Sequence, residues 1–308
     1  MYSKKKNELI IQNLYKTYTH GAKPALDNFS ATFSQGIYGI LGPNGAGKST
    51  LFNIITGVID FNLGTLVWGD LDLEASRFEF AKNLGYMPQQ QQLFDYMTVF
   101  RFLEYFGLLK NLSSKYLYEE IERVMFETGI TDLQDKRISS LSGGMKQRVL
   151  ISQAMLGDPP VMLLDEPTAG LDPKERIRFR NFISTKALDK IVLIATHIVP
   201  DIDSIAKEIL ILDRGQIIES GATSTILSKY SDISYLGEIP KDKLIYFTKN
   251  YQISHLQERP NGLIELTIVG KITDPQDLTQ FNFTKIEPSL EDVYLHLFGL
   301  EQVEQAAY

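Results

Sequence analysis

The sequence predicts an α/β fold, and three observations carry the prediction. An apolar run, Ile37-Tyr38-Gly39-Ile40-Leu41, leads into Gly42-Pro43-Asn44-Gly45-Ala46-Gly47-Lys48-Ser49-Thr50, after which Leu51-Phe52-Asn53-Ile54-Ile55 has helical apolar spacing. Strand, G-x-x-x-x-G-K-S turn and helix start form the context that separates a phosphate-binding loop from a chance match. Two more short apolar runs, Val161-Met162-Leu163-Leu164 and Ile191-Val192-Leu193-Ile194-Ala195, have the composition of buried parallel strands, and each ends in polar residues. After about residue 220 the pattern shifts to short strands around a Pro260-Asn261-Gly262 hairpin signal and one terminal amphipathic helix, which marks a small α+β unit.

The chain of 308 residues is long enough for two domains, and 44% apolar residues support ordinary packed cores. No unbroken apolar run reaches bilayer-spanning length, so a chain that does not cross a membrane is expected. The basic start Lys4-Lys5-Lys6 passes directly into Leu9-Ile10-Ile11 without an apolar signal core, which argues against secretion. Those lysines fit either contact with anionic lipid or a solvated tail. With no cysteine, disulfide and thiolate chemistry are excluded, and a reducing compartment is compatible. A net charge of −7 confines any nucleic-acid-binding face to a local patch.

Taken in order, Leu9 to Leu14 and Ala31 to Phe33 alternate as half-buried strands with a turn at residues 21–24, an antiparallel lead-in to the nucleotide strand. Gly64 to Trp68 reads as a strand, Leu73 to Asn83 as a short helix. From Phe94 to Gly129 the period is helical: Val99, Phe102, Leu103 and Phe106 share one face, as do Leu117, Ile121, Val124 and Met125. The aromatics Phe94, Tyr96, Phe100, Tyr105 and Phe106 of this inserted block are expected in its core, with a partner-binding groove as the alternative. In the tail, Leu244 to Phe247, Tyr251 to Leu256 and Leu263 to Val269 read as strands. Ser289 and Asp292 have capping-box spacing before Leu290, Val293, Tyr294, Leu297 and Phe298 at helical spacing.

The chemistry follows from residue types at element ends. Backbone N–H groups of the glycine-rich turn and the helix start surround phosphate oxygens; Lys48 reaches the β- and γ-phosphates and Ser49 takes a Mg2+ position. Asp165, delivered by an apolar strand, is a second Mg2+ residue. Glu166, one residue on, is expected on the opposite face of that strand, where a carboxylate polarises attacking water; the bland reading of the pair is a loop start. His197, at the next strand end, fits a bond to the γ-phosphate or the water, or a structural role. Gln89 follows Met87-Pro88 and offers a carbonyl to Mg2+, although Gln90, Gln91 and Gln92 make a polar loop an equal reading. Tyr18 either stacks on a base or covers a sheet edge. Ser142 before Gly143 and Gly144 caps a second anion-binding helix start, a surplus in one nucleotide site that makes sense if it serves another subunit.

In this order the motifs resemble the nucleotide-binding subunit of the ABC transporter family, over roughly the first two thirds of the chain. The resemblance implies an α/β P-loop NTPase, the ABC cassette, with an antiparallel β subdomain and an inserted helical subdomain at about 90–160. The cassette would span 1–222 and a C-terminal accessory α+β domain 223–308. Residues 42–49 look like the Walker A loop, Gln89 the Q-loop, Leu141-Ser142-Gly143-Gly144-Met145 the signature and residues 161–165 Walker B. Glu166 looks like the catalytic carboxylate, residues 169–172 the D-loop, His197 the switch histidine and Tyr18 the adenine-stacking aromatic. By resemblance the cofactors are ATP and Mg2+. Two copies would close around ATP, the Walker A loop of one facing Ser142 to Gly144 of the other, at the cytoplasmic face of a membrane and under a separate polytopic permease. The segment Glu287 to Phe298 looks like the C-terminal part of exporter ATPases that pair with type-2 permeases. The alternatives are an importer subunit or a soluble cassette acting on ribosomes or nucleic acid; a single cassette, no sustained heptads and the acidic balance disfavour the latter.

Overall fold

Alternation of buried and open positions in Leu9–Lys16 (β1) and Leu26–Phe33 (β2) builds an antiparallel pair, with Leu9 opposite Phe33. The computed structural model describes residues 8–19, 23–89, 94–272 and 274–299, and the chain divides into two compact units between Ile218 and Glu219. The turn expected at residues 21–24 and the lysines before Glu8 lie largely or wholly outside the described residues, as do Gln90, Gln91 and Gln92.

Gly36–Leu41 (β3) is buried beyond its first residue and feeds Lys48–Ile55 (α1), which seats Leu51, Phe52, Ile54 and Ile55 in the core. Leu63–Trp68 (β4) and Leu71–Asp72 (β5) complete a four-stranded sheet of order β2-β1-β4-β5. The helix expected from Leu73 is shorter, Arg77–Lys82 (α2). The Asp72 carboxylate accepts from the N–H groups of Glu74 (2.9 Å) and Ala75 (3.4 Å), so residues 73–75 form a turn that anchors Leu73 in the core.

Leu84–Met87 (β6) precedes the helical block of Val99–Leu109 (α3), Ser114–Thr128 (α4) and Gly143–Met155 (α5). Val99, Phe102, Leu103, Leu117, Ile121, Val124 and Met125 are buried, as their spacing predicts. Of the five aromatics expected in this core, Tyr96 (72%) and Tyr105 (40%) are exposed, whereas Phe94, Phe100 and Phe106 are half-buried, Phe94 and Phe106 against the core ring of Phe102 at 6.3 and 4.8 Å. The inward face of α3 is already filled by Val99, Phe102 and Leu103, and the remaining rings pack on one another at the surface, with Phe94 edge-on to Tyr105 at 5.5 Å and Phe100 stacked on Tyr118 at 5.9 Å.

Val161–Asp165 (β7), Pro173–Lys186 (α6), Ile191–Thr196 (β8), Glu208–Asp213 (β9) and Gln216–Gly221 (β10) follow. The second sheet has the order β10-β9-β3-β8-β7-β6, in which β9, β3, β8, β7 and β6 run parallel. Its register sets Leu41 beside Thr196 and Asp165 beside Ala195, so the loops after β3, β7 and β8 leave one edge together. One apolar core joins the two sheets through α1, with Phe29, Phe33 and Tyr38 packed with Phe52, Leu163 and Leu193.

The second unit contains Thr223–Lys229 (α7), Ser234–Ile239 (β11), Leu244–Asn250 (α8), Gln252–Glu258 (β12), Ile264–Val269 (β13), Pro275–Gln280 (α9), Thr284–Lys285 (β14) and Leu290–Phe298 (α10). Its sheet is antiparallel, in the order β12-β13-β11-β14. The β12–β13 turn uses Gly262 at φ 81°, as the Asn-Gly signal predicts. The strand expected at Leu244 to Phe247 is instead α8, because helical spacing puts both Phe247 and Tyr251 into the core with Phe281 and Phe283. The full capping box of Ser289 and Asp292 starts α10. Among the described residues no helix is long and apolar enough to cross a membrane.

Candidate functional site

The loop between β3 and α1 takes its shape from backbone that only glycine tolerates. Gly47 sits at φ 111°, and a Cβ there would lie 2.6 Å from the Ala25 carbonyl oxygen. It is the N-cap of α1 and supplies no side-chain cap, so the first N–H groups of the helix stay turned toward the loop. Lys48 is buried and folds back over this loop, its Nζ donating to the carbonyls of Gly42 (2.6 Å) and Pro43 (3.1 Å). Burial pulls its pKa below the usual lysine range, against the nearby charges of Glu166 and Asp165.

A cavity of about 340 Å3 opens beside the loop, lined by Asn44, Gly45, Gly47, Lys48, Ser49 and Thr50, and also by Ala25, Gln89, Asp165 and Glu166. Asp165 is buried, and its Oδ1 has no hydrogen-bond partner. Burial pushes its carboxyl up to about 6; the Ser49 hydroxyl bond opposes this, the Glu166 charge adds to it and Lys48 opposes it. Asp165, Ser49 and Gln89 thus offer one carboxylate and two neutral oxygens to the same space. Such a donor set fits a hard divalent cation that keeps waters and phosphate oxygens in its shell, and the orphaned Oδ1 is the atom such an ion would satisfy. Among the described residues there is no group of three or more His, Cys, Asp or Glu side chains able to hold a metal alone.

Glu166 does not lie on the opposite face from Asp165. It follows the last residue of β7 and adopts φ 49°, with its N–H donating to Ala195 O at 2.8 Å, and this left-handed residue returns its carboxylate to the cavity. Both carboxylate oxygens are held: Thr196 Oγ1 donates to Oε2 at 3.1 Å, and His197 Nδ1 lies 2.8 Å from Oε1. Tyr18 is 63% exposed, its hydroxyl 3.1 Å from Thr50 Oγ1, so it is tied to the loop helix and does not bury a sheet edge.

The sequence-predicted residues therefore fall into two groups. Gly45, Gly47, Lys48, Ser49, Thr50, Gln89, Asp165 and Glu166 share one cavity, with His197 attached through Glu166 and Tyr18 through Thr50. Ser142, Gly143 and Gly144 do not line that cavity. Ser142 caps α5, accepting from the Met145 N–H at 3.4 Å, and the Cβ position of Gly143 has no heavy atom within 4 Å.

Sequence reasoning missed three supports of the site. Thr196 fixes Glu166, and Gln147 Nε2 donates to Pro167 O at 2.5 Å from α5. The buried Thr168 hydroxyl donates to the buried Asp201 carboxylate, joining the turn after Glu166 to the segment after His197. The only hint of the last pair was a carboxylate set among Ile198, Val199, Pro200 and Ile202.

Residues 26–169 match the protein-family profile described as ABC transporter. The chain is 32% identical over 219 residues to the human glucosylceramide transporter ABCA12, covering 70% of this chain and 8% of that protein. It is 32% identical over 265 residues to ATP-binding cassette sub-family A member 17 of Rattus norvegicus, covering 85% of this chain and 15% of that protein. The chain thus spans a small part of the length of these relatives. Among solved structures it is similar to cbiO1 from Clostridium perfringens, described as part of the ABC transporter complex cbiONQ, with a TM-score of 0.65 and 26% identity over 72% of this chain and 90% of that one. It is also similar to the ADP conformation of an ATP-binding cassette of an ABC transporter, with a TM-score of 0.62 and 26% identity over 70% of this chain and 90% of that one.

Proposed function

We propose that the chain, which carries an ATP-binding cassette matching the ABC transporter family over residues 26–169, hydrolyses ATP to power export through a separate membrane-spanning permease, working as a pair of identical cassettes. The observation that carries this reading is the convergence of Lys48, Ser49, Gln89, Asp165 and Glu166 on one cavity at the start of α1. The Lys48 ammonium exchanges the carbonyls of Gly42 and Pro43 for phosphate oxygens, whose charge offsets the burial that lowers its pKa. Ser49, Gln89 and Asp165 would hold Mg2+, which when bound neutralises charge on the β- and γ-phosphates. The Glu166 carboxylate orients the attacking water and accepts its proton, and His197 and Thr196 keep it in place. The open ring of Tyr18 stacks on adenine.

In this reading Ser142, Gly143 and Gly144 act on the ATP held by the second copy. Their distance from the cavity of their own chain and the open space around Gly143 support that assignment. A transport role is supported by likeness to a relative named as a glucosylceramide transporter. The resemblance of the α10 segment to exporter ATPases adds to it. The working place is then the cytoplasmic face of a membrane. The test is affinity capture of tagged Glu166→Gln protein with ATP from detergent-solubilised membranes of the native host. A polytopic membrane protein in the captured complex is the expected result; ribosomal proteins or nucleic acid without one would overturn the transport reading and leave the ATPase site intact.

A further inference from the structure

Between the end of α4, α5 and α6 lies a cavity of about 410 Å3, separate from the one lined by Lys48, Asp165 and Glu166. Its size falls within the range that encloses small organic ligands. Phe126, Ile151, Leu171, Phe179 and Phe182 give it an apolar wall, and Phe126 stands 80% exposed at the lip. Its charged wall has Arg148, Arg178, Glu175 and Glu127. Glu127 is neutralised by Arg123 (2.8 Å) and Lys186 (2.6 Å), neither of which lines the cavity. That leaves two guanidinium groups, Arg148 and Arg178, sharing the one carboxylate of Glu175. The Arg178 side chain lines the cavity, is 57% exposed and uses only Nη1 for Glu175. An apolar wall beside a net positive pair, in a chain of net charge −7, selects a ligand that is apolar at one end and anionic at the other.

We propose that this cavity is a regulatory site for an amphipathic organic anion, an acyl or aryl body ending in a carboxylate. The body lies against Phe126, Phe179 and Phe182, and the carboxylate takes the donors that Arg178 does not use on Glu175, while Arg148, bonded to Glu175 and to Gly129 O, contributes its charge. The cavity wall also includes Gly144, in the first turn of α5, and Leu171, in the turn before α6. A Cβ on Gly144 would sit 3.6 Å from the Leu171 side chain. A ligand here therefore bears on the contact between the Ser142 to Gly144 helix start and the turn that follows Glu166. This link to turnover rests on the shared-site reading above; the binding does not.

The test uses the full chain and decanoate, titrated calorimetrically without nucleotide. One site per chain is expected, weakened roughly tenfold by Arg178→Glu and by Phe182→Ala. Decylamine, with the same tail and the opposite charge, is expected to bind at least about tenfold more weakly. No binding, binding indifferent to both substitutions, or equal binding of decylamine would overturn the site. Saturating decanoate is then expected to change steady-state ATP turnover at least about twofold in the wild type and not in Arg178→Glu. Intact binding with unchanged turnover would refute regulation. A failure of the shared-site reading is detected separately, by Ser142→Arg retaining full hydrolysis.

Discussion

The two glycine-bearing helix starts of the cassette are built differently. At α1 the cap is Gly47 at φ 111°, the first residue of the helix is a buried lysine, and the carboxylates of Asp165 and Glu166 line the same cavity. At α5 the cap is Ser142 at φ −67°, its hydroxyl spends itself on the Met145 N–H, and the space around Gly143 is open. The first start brings together, within one chain, the groups proposed to bind phosphate and cation and to activate water. The second offers N–H groups but has no acidic residue in its first turn and does not line the cavity of Asp165 and Glu166. On the proposed division of roles, a complete half and an incomplete half in one chain would make activity a property of two copies.

That contrast can be broken at either end. The largest effect is expected from Glu166→Gln, which removes the proton acceptor while keeping the side chain's size and one of the two bonds accepted from Thr196 and His197: phosphate release should fall by roughly 10²- to 10⁴-fold while equilibrium ATP binding persists. Unchanged turnover would take Glu166 out of its role. Ser142→Arg should lower turnover at least about 10²-fold with nucleotide binding by the isolated chain preserved, because the damage falls on the neighbouring copy's site. Mixing Ser142→Arg with Glu166→Gln protein then sharpens the contrast. Hybrid pairs contain one site that lacks both groups and one that lacks neither, so activity should partly return; a mixture as silent as its components would refute the division of labour.

A smaller effect concerns stability at the α1 end. The Asp165 carboxyl, raised to about 6 by burial, is above its unfolded value, so the fold prefers it neutral. Stability is therefore lost as pH rises from about 4 through about 6, and at pH 7 the ionised group costs on the order of 2 kcal/mol in the absence of a cation. Asp165→Asn should raise the melting temperature of nucleotide-free, metal-free protein at pH 7.5, with the gain shrinking toward pH 4. A gain independent of pH would point to packing instead. The smallest change is expected for Tyr18→Phe, which keeps the ring but deletes the bond to Thr50: ATP affinity should drop about two- to fivefold, against tenfold or more for Tyr18→Ala. Equal losses would mean that the ring itself contributes nothing.

Most of this architecture was legible because strand burial and loop chemistry leave strong marks. A wholly buried strand such as β7 or β8 must read as an apolar run, and a tight phosphate loop must carry its glycines. What the letters left ambiguous was settled by tertiary packing. Leu244-Ile245-Tyr246-Phe247 suits strand or helix, and only the aromatic core around Phe247 selects the helix. Strand β11, with Gly237 at its centre, has no clean alternation to announce it. Tyr96 and Tyr105 of the helical block are hydrophobic by composition and exposed by placement, since neighbours on α3 already occupy the inward face. Glu166 was misplaced for a different reason: a left-handed residue carries no signal when it is neither glycine nor asparagine, and the alternation rule stops applying where the strand ends.

If Glu166 has the proposed catalytic role, its left-handed backbone also makes readiness for that role a matter of timing in exchange experiments. Holding a glutamate there costs roughly 1 kcal/mol, offset locally by its N–H bond to Ala195 O. Return of that single residue to an extended conformation would break this bond and carry the carboxylate out of the cavity without disturbing β7. The Glu166 amide should therefore exchange with solvent deuterium sooner than those of Leu163 and Leu164, and its protection factor would report how often the enzyme is momentarily disarmed while still folded.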